Sequence, residues 1–144
     1  MTVKAFFRQC RREIAEYQYM KERLDWLRSS LLPEAIRYKQ VDVQTSGAGD
    51  RMAEVVPEIV GLEQTIAEYV EQLASHQRTA EKIISQIEDP ECRLLLWLYY
   101  LHDPQLTWEQ VADKMHVTER TVYRMHGKAL VAANNVSLNV SIDT

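Results

Sequence analysis

From Met52 to Ile87 the side chains Met52, Val55, Ile59, Leu62, Ile66, Tyr69, Leu73, His76, Ala80, Ile83 and Ile87 recur with strict alternation of three and four residues. An α-helix gathers such positions onto one stripe, and a seam sustained over five heptads has to face another helix. A strand, with its period of two, would scatter the same residues over both faces. The chain is therefore expected to be all-α. His76 is the polar member of the seam and reads as a register-setter rather than a metal ligand. Pro57 stands inside the first turns, where a kink or a late helix start is expected.

A second seam precedes this one. Val3, Phe7, Cys10, Ile14, Tyr17, Leu24, Leu27 and Leu31 sit at a/d-like positions, with a gap near Met20 and Lys21, so a first long helix is expected to fray by Pro33. The segment "YKQVDVQTSGAGD" (38–50) has the residues of a flexible connection, and Asp50 is placed to cap the second long helix. Charge separates the segments. Residues 1–40 carry nine Lys/Arg against five Asp/Glu, residues 41–90 three against ten, and residues 91–144 five against six. Opposite signs on two long helices favour pairing them, as a coiled-coil-like hairpin or across two subunits; contact between the basic helix and nucleic acid is the alternative.

The C-terminal part has a different grammar. In "EDPECRLLLWLYYLHDPQ" Asp89 suits an N-cap, Pro90 the first helical position, and Glu91 the positive end of the helix dipole. The run Leu94–Leu101 is apolar nearly all round, so most of it should be buried; at eight residues it is too short to cross a bilayer. Thr107 with Gln110 forms a capping box that starts a helix at Trp108, whose apolar face is Val111, Ala112 and Met115. His116 and Val117 interrupt that helix. Thr118 caps again, and Val122, Met125, Ala129 and Leu130 make a second apolar face. Two short helices joined by about three residues cross steeply, as in a helix-turn-helix.

The apolar positions Val111, Met115, Val117, Val122 and Met125, with small Ala112 at the crossing, resemble the pattern of DNA-binding helix-turn-helix units. His116 stands where such units usually place glycine. A long apolar helix followed by a unit ending "TVYRMHGKAL" resembles the fourth region of bacterial sigma factors and, more closely, the phage transcriptional regulators of the RinA and ArpU type, with "TSGAGDRMAEVV" in the place of their linker. The resemblance implies a sequence-specific DNA-binding regulator, an activator of phage late genes, with double-stranded DNA as partner and RNA polymerase as a candidate one. Carried over residue by residue, it places Glu119, Arg120, Thr121, Tyr123 and Arg124 toward the major groove and Thr107, Trp108 and Lys128 at the phosphate backbone, with the cap residue Thr118 also counted in the DNA-binding set. Arginine pairs bidentately with guanine, and Glu119 can accept from a cytosine amino group. The bland alternatives are a core role for Trp108, a helix-terminus role for Glu119 and a solvated face for Arg120, Arg124 and Lys128.

Domains are thus expected at 1–88 for long-helix oligomerisation, carried by Ile59, Leu62, Ile66, Tyr69, Leu73 and Ile83, and at 89–131 for DNA binding. The tail 132–144 is expected to be disordered, with an edge strand through Val136, Leu138, Val140 and Ile142 as the alternative. Cys10 and Cys92 lack metal-ligand spacing, the four histidines form no ligand pattern with them, and no phosphate loop or nucleophile motif is present. The chain therefore reads as no enzyme, without cofactor, metal or small-molecule substrate, in the cytoplasm of a bacterial host and forming a dimer or larger homo-oligomer. The two Asn-x-Ser patterns at Asn135 and Asn139 are then chance matches. A helical phage assembly or packaging adaptor is the competing reading.

Overall fold

The computed structural model describes the backbone of residues 1–40 and 46–137, and side chains outside 32–50 within that range. Every element among these residues is helical: α1 (Val3–Gln40), α2 (Ser46–Ser85), α3 (Pro90–Leu96) continuing as a wide π turn over Trp97–Leu101, α4 (Trp108–Met115) and α5 (Glu119–Ser137). No helix among them is long and apolar enough to cross a membrane.

Packing divides the chain into two units. One joins Met1–Ala15 to the chain from Gln72 onward, and the other is Glu16–Glu71. The grouping crosses the boundary drawn at residue 88, because the first turns of α1 share a core with the C-terminal helices. In the first unit Phe6, Phe7 and Cys10 of α1, Ile83, Ile84 and Ile87 of α2, Leu95 and Leu96 of α3 and Tyr100 are buried together with Val111, Val122, Ala129 and Ala133. Cys10 and Cys92 are both buried free thiols. Glu13 and His76 are buried too, and His76 Nδ1 lies 2.8 Å from both Glu13 carboxylate oxygens. The polar seam residue thus has a long-range acidic partner that fixes where the two helices meet.

In the second unit Met20, Leu24 and Leu27 of α1 are buried. Met20 fills the expected gap, since unbranched methionine packs as readily as leucine at a seam position. Ion pairs Arg23–Glu58 (2.7 Å) and Arg28–Glu63 (3.3 Å) join α1 to α2 here. Their half-exposed side chains make each worth ~0–1 kcal/mol, so they select the pairing more than they stabilise it.

Several helix ends differ from expectation. α1 continues past Pro33 to Gln40, and α2 begins at Ser46, which puts Asp50 inside the helix and leaves no late start at Pro57. A proline within a helix removes one hydrogen bond and crowds the carbonyl one turn back, a local cost that the turns on either side of it can carry. Of the connection expected over 38–50, residues 41–45 lie outside the described residues. α5 runs to Ser137, into the tail expected to be disordered from residue 132, because Ala133 is fully buried and Val136 packs on the core. Val136 is therefore helical; the rest of the suggested edge strand, residues 138–144, lies outside the described residues. Within Leu94–Leu101, Leu94 and Trp97 face solvent instead of the core.

Candidate nucleic-acid interface

Local chemistry fixes the last three helices. Asp89 has extended backbone and accepts a hydrogen bond from Glu91 N–H at 2.9 Å, which holds its carboxyl below the usual range; the Lys128 ammonium adds to the effect. The capping box is complete: the Thr107 hydroxyl accepts from Gln110 N–H at 3.2 Å, and Thr107 N–H donates to the Gln110 side chain at 2.9 Å. α4 ends at His116, in the left-handed conformation (φ 59°, ψ 41°), with Val117 N–H reaching back to the Ala112 carbonyl at 3.1 Å. A residue bearing a Cβ accepts that conformation at ~1 kcal/mol, and histidine is among the tolerant types. Thr118 then opens α5, accepting from Thr121 N–H at 3.2 Å.

Position by position, Thr107 and Thr118 are exposed, with their hydroxyls engaged in the caps. Glu119, Arg120, Tyr123, Arg124 and Lys128 are exposed on α5, while Thr121 is half-buried and shares a 3.0 Å hydroxyl contact with Thr118. Val122 and Ala129 are buried on the opposite face. Trp108 is half-buried. It stacks on Tyr99 with ring centroids 3.6 Å apart and planes 8° off parallel, and touches Tyr123 (5.7 Å) and His126 (4.7 Å) edge-on. Its packing is that of a core aromatic whose edge reaches the surface. Of the residues expected in oligomerisation, Leu73 and Ile83 are buried within the single chain, whereas Ile59, Leu62, Ile66 and Tyr69 remain half-buried.

Beside this aromatic cluster opens a cleft of about 540 Å³. One wall is the start of α1, with Lys4, Arg8, Arg11 and Arg12; the other is Tyr99, Trp108, Tyr123 and His126, with Gln105 at the edge. Arg11 holds the wall together. Its guanidinium donates to the carbonyls of Tyr99 and Leu106 (2.9 Å to the latter) and lies 3.9 Å from the Tyr99 ring centre, while Gln105 donates back to the Arg11 carbonyl. Burial pushes the His126 imidazole down to about 4, with the Lys4 and Arg8 charges acting the same way. Burial, then Tyr99, pushes the Tyr100 hydroxyl up to about 12, against Arg8 and Arg11, and the two neutral groups share a 2.7 Å hydrogen bond. Sequence reading offers contact between the basic first helix and nucleic acid as the alternative to helix pairing but names none of its cations, although their spacing and the absence of any acid before Glu13 are available signals.

These residues define an all-helical protein whose last helices form a capped pair beside a basic, aromatic-lined cleft. The chain belongs to the family DUF1492, described as a protein of unknown function, whose pattern matches residues 34–134. That span covers α2, α3 and α4 and most of α5, and it begins after the basic start of α1. No curated protein and no solved structure matches the chain.

Proposed function

We propose that the protein is a sequence-specific DNA-binding transcriptional regulator of the phage RinA and ArpU type, acting in the cytoplasm of a bacterial host. In this reading α4 and α5 are a helix-turn-helix, α5 is the recognition helix, and α1 with α2 forms the hairpin through which copies associate. The observation that carries it is the α4–α5 pair itself: a complete capping box, a left-handed three-residue turn and a second cap present Arg120, Tyr123 and Arg124 on the exposed face of a helix whose other face is core. Recognition helices need that combination of a fixed crossing and a free polar face. Association is supported by the half-buried seam Ile59, Leu62, Ile66 and Tyr69. Activation of late genes and contact with RNA polymerase rest on the family resemblance alone.

The exposed Leu94 and Trp97, with Ile84 and Pro90 along a shallow groove of about 450 Å³, favour a second reading in which the C-terminal helices bind protein, as in an assembly or packaging adaptor. Selection of bound sequences from a random DNA pool separates the two. The regulator reading expects an enriched motif, and Arg124→Ala should cost ~1–3 kcal/mol on it and relax preference at one base pair. Failure to enrich any motif, with the protein folded by circular dichroism, removes the regulator reading.

A further inference from the structure

Lys4, Arg8 and Arg12 recur every fourth residue, so they form one stripe about 12 Å long on α1. All three are exposed, and none has an acidic partner among the described residues. Arg11, beside them, is committed to backbone carbonyls and to the Tyr99 ring. No carboxylate lines the cleft they border. Glu13, the one acid in the first fifteen residues, is turned inward to His76. The opposite wall carries Tyr123, 51% exposed on the same helix as Arg120 and Arg124, so the cleft opens alongside the face that α5 offers to DNA. Phosphate contacts require cations, and the segment 91–144 has none to spare, with five Lys/Arg against six Asp/Glu.

We infer that the first helix completes the DNA-binding surface, with Lys4, Arg8 and Arg12 gripping the phosphate backbone of the duplex beside the groove that α5 enters. The inference rests on the reading of the protein as DNA-binding and adds to it a partner surface from the opposite end of the chain. The division of labour is physical. Side chains on α5 reach base edges and discriminate, whereas a stripe of point and fork charges on α1 attracts any sequence equally and fixes register. Aromatic side chains, Tyr99, Trp108, Tyr123 and His126, line the wall opposite the stripe and bring no carboxylate to it.

The test uses the full chain, a duplex carrying the enriched motif and an unrelated duplex, titrated over a salt series. The variant Lys4→Ala/Arg8→Ala/Arg12→Ala should bind both duplexes more weakly by similar factors, and its plot of log affinity against log salt should be shallower by about two to three units, one lost counterion per contact. Base preference should not change. Charge-preserving replacement, Lys4→Arg/Arg8→Lys/Arg12→Lys, should keep the parent slope, which separates charge from any disturbance of α1. If the alanine variant keeps the parent slope while Arg124→Ala relaxes preference in the same assay, the inference is overturned and the regulator reading stands. If the variant loses binding of a fluorescent mononucleotide but not of DNA, the stripe serves a small anionic ligand and the inference is again overturned. A parent protein that prefers no sequence removes both.

Discussion

The two packed units use the same heptad grammar and reach different degrees of closure. In the unit that joins Met1–Ala15 to the chain from Gln72 onward, α1 and α2 are covered by α3 and its π turn, and Phe6, Phe7, Ile83 and Leu95 have no exposure left. Among the described residues of Glu16–Glu71, Val55, Ile59, Leu62, Ile66 and Tyr69 stay half-buried, and Tyr19 (59%) and Trp26 (65%) face solvent. Val56, Val60 and Val70 form a further exposed apolar stripe on α2, one position past the seam. A periodic seam thus specifies which side of a helix is apolar but not how many neighbours will cover it. Exposed aromatic and β-branched residues occur in both units, with Tyr19, Trp26, Val56, Val60 and Val70 in Glu16–Glu71 and Trp97, Tyr123 and Val131 in the other; the proposed association of copies uses the first set.

The sharpest way to break this comparison is to make equal truncations in the two units. Leu95→Ala empties a fully enclosed site in the closed unit and should cost ~2–5 kcal/mol. Leu62→Ala removes a half-covered side chain and should cost the isolated chain ~1 kcal/mol, because part of its surface is already wet. Urea unfolding of both variants at several protein concentrations measures the difference. If copies associate through the open unit, the cost of Leu62→Ala grows with concentration and that of Leu95→Ala does not. Equal costs at every concentration would mean that the two units are closed alike.

The proposed assembly tests the same contrast. Light scattering over a concentration series should give more than the monomer mass of 16.8 kDa, and the double variant Trp26→Ser/Val60→Ser should shift the species toward that mass while leaving helix content intact. A parent protein that stays at the monomer mass throughout removes the proposed role of the open unit. In the proposed regulator, loss of association should weaken DNA binding through lost avidity, with base preference retained.

What was legible in the sequence is what local chemistry decides. Asp89 with Pro90, the Thr107–Gln110 box and the Thr118 cap are each satisfied within three residues, so their spacing alone locates three helix starts. The interruption at His116 was legible for the same reason: the polar and β-branched pair His116–Val117 breaks an apolar pattern, and the backbone turns left-handed there. What was not legible depends on packing between distant segments. Phe6 lies beside the a/d seam and is buried because a second layer of helices covers the start of α1. The extension of α5 to Ser137 depends on the burial of Ala133, and the Glu13–His76 pair joins two helices at a point no local pattern marks. The cleft is the extreme case, since Lys4 and Tyr123 come together from opposite ends of the chain.

The smallest expected effect lies in the wall of that cleft and sharpens the contrast by pH. His126 is neutral in the folded protein because burial, aided by Lys4 and Arg8, holds its value near 4, against 6.5 for the free side chain. Between those values the unfolded chain binds a proton that the folded chain refuses, so folding stability falls as the pH drops from about 6.5 toward about 4 and flattens below. The groups facing the ring are Lys4 and Arg8 from α1, Tyr99 and Tyr100 from the π turn, and Trp108 from α4, none of them a carboxylate that could compensate the new charge. Since the ring is only partly buried, solvent screening reduces the expected loss to ~1 kcal/mol. Chemical denaturation across this range should show that decline in the parent, superimposed on the general effect of carboxylate protonation. In His126→Gln, which keeps a polar partner for the Tyr100 hydroxyl, the slope between pH 6.5 and 5 should be visibly reduced. An unchanged slope would mean that the imidazole takes up its proton in the folded state, and that the wall of the cleft is as open to water as the seam of the second unit.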